Sequence, residues 1–190
     1  MAMMIAGLVL MLGIHSVKLV APNWREAAIA RLGEGPYKGL YSVISLVGLA
    51  LVVWGFARAW EAPVFVYTPP GWGRHVAMAL MIPALILVFA SVFPALGIKR
   101  FVAHPLLSAT ALWSVAHLFA NGDLAGVVLF GAILVWAVID RLAQPRQAEA
   151  EVATGAFGKS DFAAVLAGVA LYIVLIAGLH YWLFGVSPIV

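Results

Sequence analysis

Five histidines, His15, His75, His104, His117 and His180, are the residues whose type and placement could do chemistry in this chain. All five fall within or at the ends of long apolar runs, where an ionisable side chain costs enough to need a reason. Their depths separate them. His75 and His104 stand at the starts of their runs, and His180 lies beside Tyr181 and Trp182, where an amphipathic ring is comfortable at an interface without further role. His15 and His117 lie deeper, each followed by at least one more turn of apolar or weakly polar chain. Three and four residues before His117, on the same helical face, come Ser114 and Trp113, a hydroxyl and a large flat ring.

With no cysteine in the chain, disulfides, thiolate ligands and Cys-based zinc sites are excluded. Any metal or haem iron must be held by His, Met, Tyr or carboxylate. Paired imidazoles from different helices are what a buried b-type haem needs, since they offer neutral axial nitrogens in a water-poor site. The same residues also suit proton relays, non-haem metal sites, or a hydrogen bond to a neighbouring helix. His104 and His117 are separated by about 20 Å and about 220° of helical rotation, so one site must choose between them. Counting along the helices puts His15 in the inner half of the membrane and His117 in the outer half, with His75 and His104 as alternates.

Elements able to hold such side chains follow from composition. Of 190 residues, 65% are hydrophobic and 10% charged, against about 45 to 50% and roughly 25% in soluble domains. Six apolar segments stand out, at about 2 to 21, 38 to 60, 74 to 96, 104 to 121, 123 to 143 and 161 to 185. The expected fold is all-α: a polytopic membrane protein, a bundle of about six transmembrane helices forming one domain over residues 1 to 190. Pro22 closes the first segment, Asp123 is placed to cap the fifth after the Asn121-Gly122 turn, and Asp161 to cap the sixth. Pro83 and Pro94 are candidate kinks in the third. The first charge, Lys18, follows the first apolar run, so that run reads as a retained helix rather than a signal peptide.

Loop one, Asn23 to Gly39, is too polar to span and too apolar at Ala27, Ala28, Ile29 and Leu32 to be free linker, and predicts a short interfacial helix after the first span. Loop five, around Gln144 to Lys159, reads as a solvated connector. Lys18, Arg25, Arg31, Lys38, Lys99, Arg100, Arg141, Arg146 and Lys159 all fall on one side of the membrane, and only Arg58 and Arg74 on the other. The positive-inside rule then places both termini outside and the odd loops in the cytoplasm. A net charge of +3 spread over loops argues against nucleic acid as a partner and for membrane lipid. Arg31 and Lys38 could also hold haem propionates.

Several motifs carry a family resemblance. His15-Ser16, the run Arg31-Leu32-Gly33-Glu34-Gly35-Pro36-Tyr37-Lys38-Gly39-Leu40-Tyr41-Ser42, Arg74-His75, His104-Pro105, and Leu112-Trp113-Ser114-Val115-Ala116-His117 with Asn121-Gly122-Asp123 resemble the NnrU family, from about Gly7 to Arg141. That family is similar to the plant and cyanobacterial 15-cis-zeta-carotene isomerase, a membrane protein that holds haem b. Its His-Ser motif looks like His15-Ser16, and its Trp-Cys-Leu-Ala-His motif looks like Trp113 to His117. The resemblance implies haem b, with His15 and His117 as axial ligands and Trp113 beside them. It also implies a bacterial inner membrane location, and either isomerisation of an apolar polyene or a redox or nitric oxide-related role in denitrification. The partner would be a small apolar substrate or a nitrogen oxide. Ser114 stands where the isomerase has Cys, and a hydroxyl is a poor replacement for a thiolate ligand.

Two other classes compete. Ala103-His104-Pro105 echoes the Arg-His-Pro motif of isoprenylcysteine carboxyl methyltransferases, but the Arg is absent and no acidic, tyrosine-rich segment follows. A non-catalytic assembly or transport factor could use Asp140 and Arg141 at the inner end of the fifth span, where such charges also serve as interfacial anchors.

Overall fold

The computed structural model describes residues 1–143 and 156–189. Residues 144 to 155, which hold most of the expected connector and Arg146, lie outside the described residues. Helices dominate. They are α1 (Ala2–Val20), α2 (Pro22–Leu32), α3 (Glu34–Trp60), α4 (Gly73–Val92), α5 (Leu96–Phe101), α6 (Pro105–Ala120), α7 (Leu124–Ala143), α8 (Lys159–Val174) and α9 (His180–Phe184), with a π-helical turn at Leu175–Leu179 joining the last two. Among the described residues there is no strand, only an isolated bridge between Phe65 and Asp123.

Five of these helical stretches are long and apolar enough to cross a membrane, the last being Lys159–Phe184 taken whole. Pro105–Ala120 is a shorter apolar helix, about 24 Å long against a hydrocarbon core of about 30 Å. The chain is therefore an all-α, multi-pass membrane protein. The interfacial helix is present as α2, which buries none of its residues.

The chain divides into two compact units. The first comprises Met1–Val66 and Asp123–Ala132. Its frame is the pair α1 and α3, packed so closely that glycines must line the seam. A Cβ on Gly7 would stand 2.6 Å from the Gly48 carbonyl oxygen, one on Gly48 would stand 2.8 Å from the Met11 nitrogen, and one on Gly55 would collide with the Met4 backbone. The partners run in opposite order along the two helices, so the pair is antiparallel. In lipid, where hydrocarbon offers no drive to bring helices together, such close approach of backbones supplies the attraction. Asp123 precedes the first residue of α7, and its Oδ1 accepts the Gly126 N–H at 2.8 Å, the cap expected from the sequence.

The second unit comprises Tyr67–Gly122 and Ile133–Val190. Here α4 packs against α6 and α8, and α5 against α8. Small residues again permit the approach: a Cβ on Gly168 of α8 would lie 2.6 Å from Ile86 Cα of α4, and Ala90, Ala95 and Ala164 form a fully buried cluster flanked by Phe89, Phe93 and Ile98. Pro83 sits inside α4, whereas Pro94 lies beyond its end. The third segment, expected to run to about 96, stops at Val92 because Phe93 turns extended before Pro94, whose ring disfavours a helical residue ahead of it.

Asp161 does more than its sequence position predicts. It occupies the third position of α8 rather than the cap: its Oδ2 accepts the Gly158 N–H at 2.9 Å, and its Oδ1 accepts the Ile98 N–H of α5 at 2.7 Å. One buried carboxylate thus ends α8 and ties α5 to it. Asp161→Ala is expected to cost roughly 2–4 kcal/mol by releasing both amides, and Asp161→Asn less. Thermal unfolding in detergent measures the difference, and equal midpoints for Asp161→Ala and wild type would refute it.

Candidate functional site

His15 and Ser16 lie three-quarters of the way along α1, where no turn or proline relieves the backbone, so their polar atoms must be satisfied locally. The Ser16 hydroxyl donates to the Leu12 carbonyl at 2.7 Å. The half-buried His15 ring places Nδ1 2.7 Å from the Met11 carbonyl oxygen and lies 5.2 Å from the Tyr41 ring of α3. A carbonyl oxygen can only accept. Nδ1 therefore carries the proton, and Nε2 of the neutral ring carries the lone pair.

His117 repeats this arrangement in the second unit. Near the end of α6 its Nδ1 lies 2.8 Å from the Trp113 carbonyl oxygen, and its ring is 4.9 Å from the Trp113 ring. Again Nδ1–H is the donor and Nε2 the lone-pair nitrogen. Both imidazoles are thus held by the carbonyl one turn back, which fixes tautomer and orientation. Metal-bound histidines characteristically have this kind of outer tether.

The end of α6 is further secured by a loop that sequence reasoning passed over. Asn121 Nδ2 donates to the His117 carbonyl at 2.8 Å. The Tyr67 hydroxyl is directed at the Leu118 and Asn121 carbonyls, the second at 2.7 Å, and the Tyr67 N–H donates to Gly122 at 3.2 Å. The Trp72 ring packs tilted against that of Phe119, centroids 5.7 Å apart. The His117 carbonyl near the end of α6 is thereby satisfied within the protein, and the one Tyr67 hydroxyl proton serves the Leu118 or the Asn121 carbonyl. The cue in the sequence was only that Tyr67-Thr68-Pro69-Pro70 is an extended tyrosine-bearing turn.

The remaining histidines are placed differently. His75 is exposed in the first turn of α4, and His104 is the residue preceding α6. His180 follows the π turn, in which Gly178 adopts φ 147°, a conformation that a side chain would strain. Its Nδ1 donates to the Val186 carbonyl at 2.7 Å. Arg31 and Lys38 are both exposed. Lys38 pairs with Glu34 at 2.8 Å, and Arg25 lies over the Tyr37 ring at 5.8 Å. Exposed pairs of this kind contribute little.

Among the described residues no three His, Cys, Asp or Glu side chains converge as a metal-holding group. A porphyrin supplies four nitrogens of its own and asks the protein only for axial ligands, so single tethered imidazoles suit it. One further polar atom stands out: the Ser114 hydroxyl is wholly buried and has no hydrogen-bond partner. In the first unit an apolar groove of about 340 Å³ runs along α1 and the start of α7, lined by Ile5, Leu8, Leu12, Ser16, Val128 and Ala132 among others.

Over residues 3–188 the sequence matches the family model described as NnrU protein. The chain belongs to the NnrU family. The match takes in all the described helices of this NnrU chain, including α8 and α9, beyond the motifs that end near Arg141. No curated protein and no solved structure matches it.

Proposed function

We propose that this NnrU protein binds haem b within the membrane and that His15 and His117 are its iron ligands. The observation that carries the reading is the shared tether: in each ring Nδ1–H is fixed on a backbone carbonyl, which makes Nε2 the lone-pair nitrogen that coordination requires. Trp113 supplies a flat ring next to His117. Haem iron would supply a redox-active centre able to exchange a ligand. What the chain's own residues do is hold the imidazoles in one tautomer and exclude water with apolar helices.

The activity proposed is isomerisation of an apolar polyene. The shallow apolar groove along α1 and the start of α7 is open to hydrocarbon rather than to a polar metabolite. Protein purified from membranes should carry haem b, measured as its pyridine haemochrome. Absence of haem even after supplementation would refute the reading.

The location proposed is a bacterial inner membrane with both termini periplasmic, from the basic residues of loops one and three. C-terminal fusions should therefore be active with alkaline phosphatase and dark with green fluorescent protein, and the reverse pattern would overturn the orientation.

A further inference from the structure

The connection between α4 and α6 is neither a span nor a free loop. It folds as the short helix α5, and that helix is fixed to the start of α8. Asp161 Oδ1 accepts the Ile98 N–H at 2.7 Å, and a Cβ on Gly97 would stand 2.5 Å from Phe157 Cα. Lys99, Arg100 and Lys159 each lie within two residues of the Asp161–Ile98 bond. Three cations are thus held at one end of the second unit, where α4 stops and α6 and α8 begin.

None of the three pairs with a carboxylate among the described residues. Asp161, the only carboxylate of α5 and α8, is buried, and its oxygens are taken by the Gly158 and Ile98 amides. The Lys99 ammonium donates one of its three protons to the Phe93 carbonyl at 2.9 Å, while Arg100 and Lys159 are exposed. Exposed aromatic rings accompany these charges. Phe101 of α5 is 83% exposed, and Phe157 and Phe162 at the start of α8 are 62% and 58% exposed. The Arg100 guanidinium lies 6.0 Å from the Phe101 ring centroid. At the mouth of a membrane span, such rings lose contact with water by entering the acyl chains, which leaves the neighbouring cations at the level of the lipid phosphates. A soluble acidic partner would meet the charges and leave the rings uncovered.

We propose that α5 and the start of α8 form a binding site for an anionic phospholipid. Its phosphate pairs with Arg100, Lys159 and Lys99, and its acyl chains cover Phe101, Phe157 and Phe162. The positive-inside bias asks only that charge lie on one side of the membrane. Here the buried carboxylate also sets the position of the charges relative to one another, so a headgroup can be selected. The site is independent of the haem reading.

The test uses the full chain in neutral detergent, titrated with short-chain phosphatidylglycerol, short-chain phosphatidylcholine or inorganic phosphate. Thermal unfolding reports binding, and native mass spectrometry counts retained lipid. Phosphatidylglycerol at about ten times its dissociation constant should raise the wild-type midpoint by about 3–5 °C, and the other two should not. The double variant Arg100→Gln/Lys159→Gln should bind phosphatidylglycerol about 25-fold more weakly, roughly fivefold per cation, with an unchanged lipid-free midpoint because both side chains are exposed. Arg58→Gln/Arg74→Gln, which removes the same charge elsewhere, should bind as wild type does. Phe101→Ser, which keeps every charge, should weaken binding about fivefold. Equal affinity in wild type and Arg100→Gln/Lys159→Gln, or an equal loss in Arg58→Gln/Arg74→Gln, would overturn the site. A matching shift with phosphatidylcholine would overturn headgroup selection, and one with phosphate alone, or no effect of Phe101→Ser, would overturn a lipid as the ligand.

Discussion

Gly55→Leu is expected to separate α1 from α3 and cost at least about 3 kcal/mol, enough to prevent accumulation of the folded protein. The seam has no room for a side chain. Any Cβ at position 55 collides with the Met4 backbone, and Met4 is itself fully buried. A flexible side chain could swing aside, but a helix backbone cannot, so relief requires moving one whole helix from the other. That motion would also open the contacts at Gly7 and Gly48, which depend on the same approach. Gly39 of the same helix α3 has nothing within 4 Å of its Cβ position, and Gly39→Ala should be neutral or slightly stabilising by helix propensity. The ratio of folded to aggregated protein on size-exclusion chromatography, with the thermal midpoint, measures both. Equal behaviour of Gly55→Leu and Gly39→Ala would contradict the account of the seam.

His117→Ala is expected to weaken haemin binding by at least about 100-fold, since loss of an outer-shell tether alone commonly costs 10- to 100-fold. The substitution also spares the fold. His117 is only half-buried, and α6 is closed by Tyr67 and Asn121 through backbone carbonyls that alanine retains. A loss of haemin binding with an unchanged unfolding midpoint therefore separates a ligand from a packing residue. Retention of haemin affinity in His117→Ala would remove His117 from the site.

The fold was largely legible because spanning length and hydropathy are local properties of a chain in lipid. Each of the six apolar segments corresponds to a helix, and the low hydropathy of loop one marked α2 correctly. Shortfalls occur where a long-range contact or a backbone choice decides. The contact of Asp161 with Ile98 joins residues far apart in sequence, and no capping rule anticipates it. The π turn before His180 lies in an uninterrupted apolar run whose only cue is Gly178. At the site, the sequence singled out His15 and His117 by depth, while their carbonyl tethers depend on rotamers that composition does not fix. That the Ser114 hydroxyl is both buried and without a partner was not legible at all, because burial in a helix seam depends on packing that the sequence does not fix.

The most direct test of the haem reading is the optical spectrum of the purified protein, oxidised and reduced, for wild type, His15→Ala, His117→Ala and the exposed-site control His75→Ala. The account predicts a Soret band that shifts on reduction in wild type and His75→Ala, and that is altered or lost in both His15→Ala and His117→Ala. Spectra of His15→Ala and His117→Ala identical to wild type, or no Soret band in any of the four after haem supplementation, would contradict it.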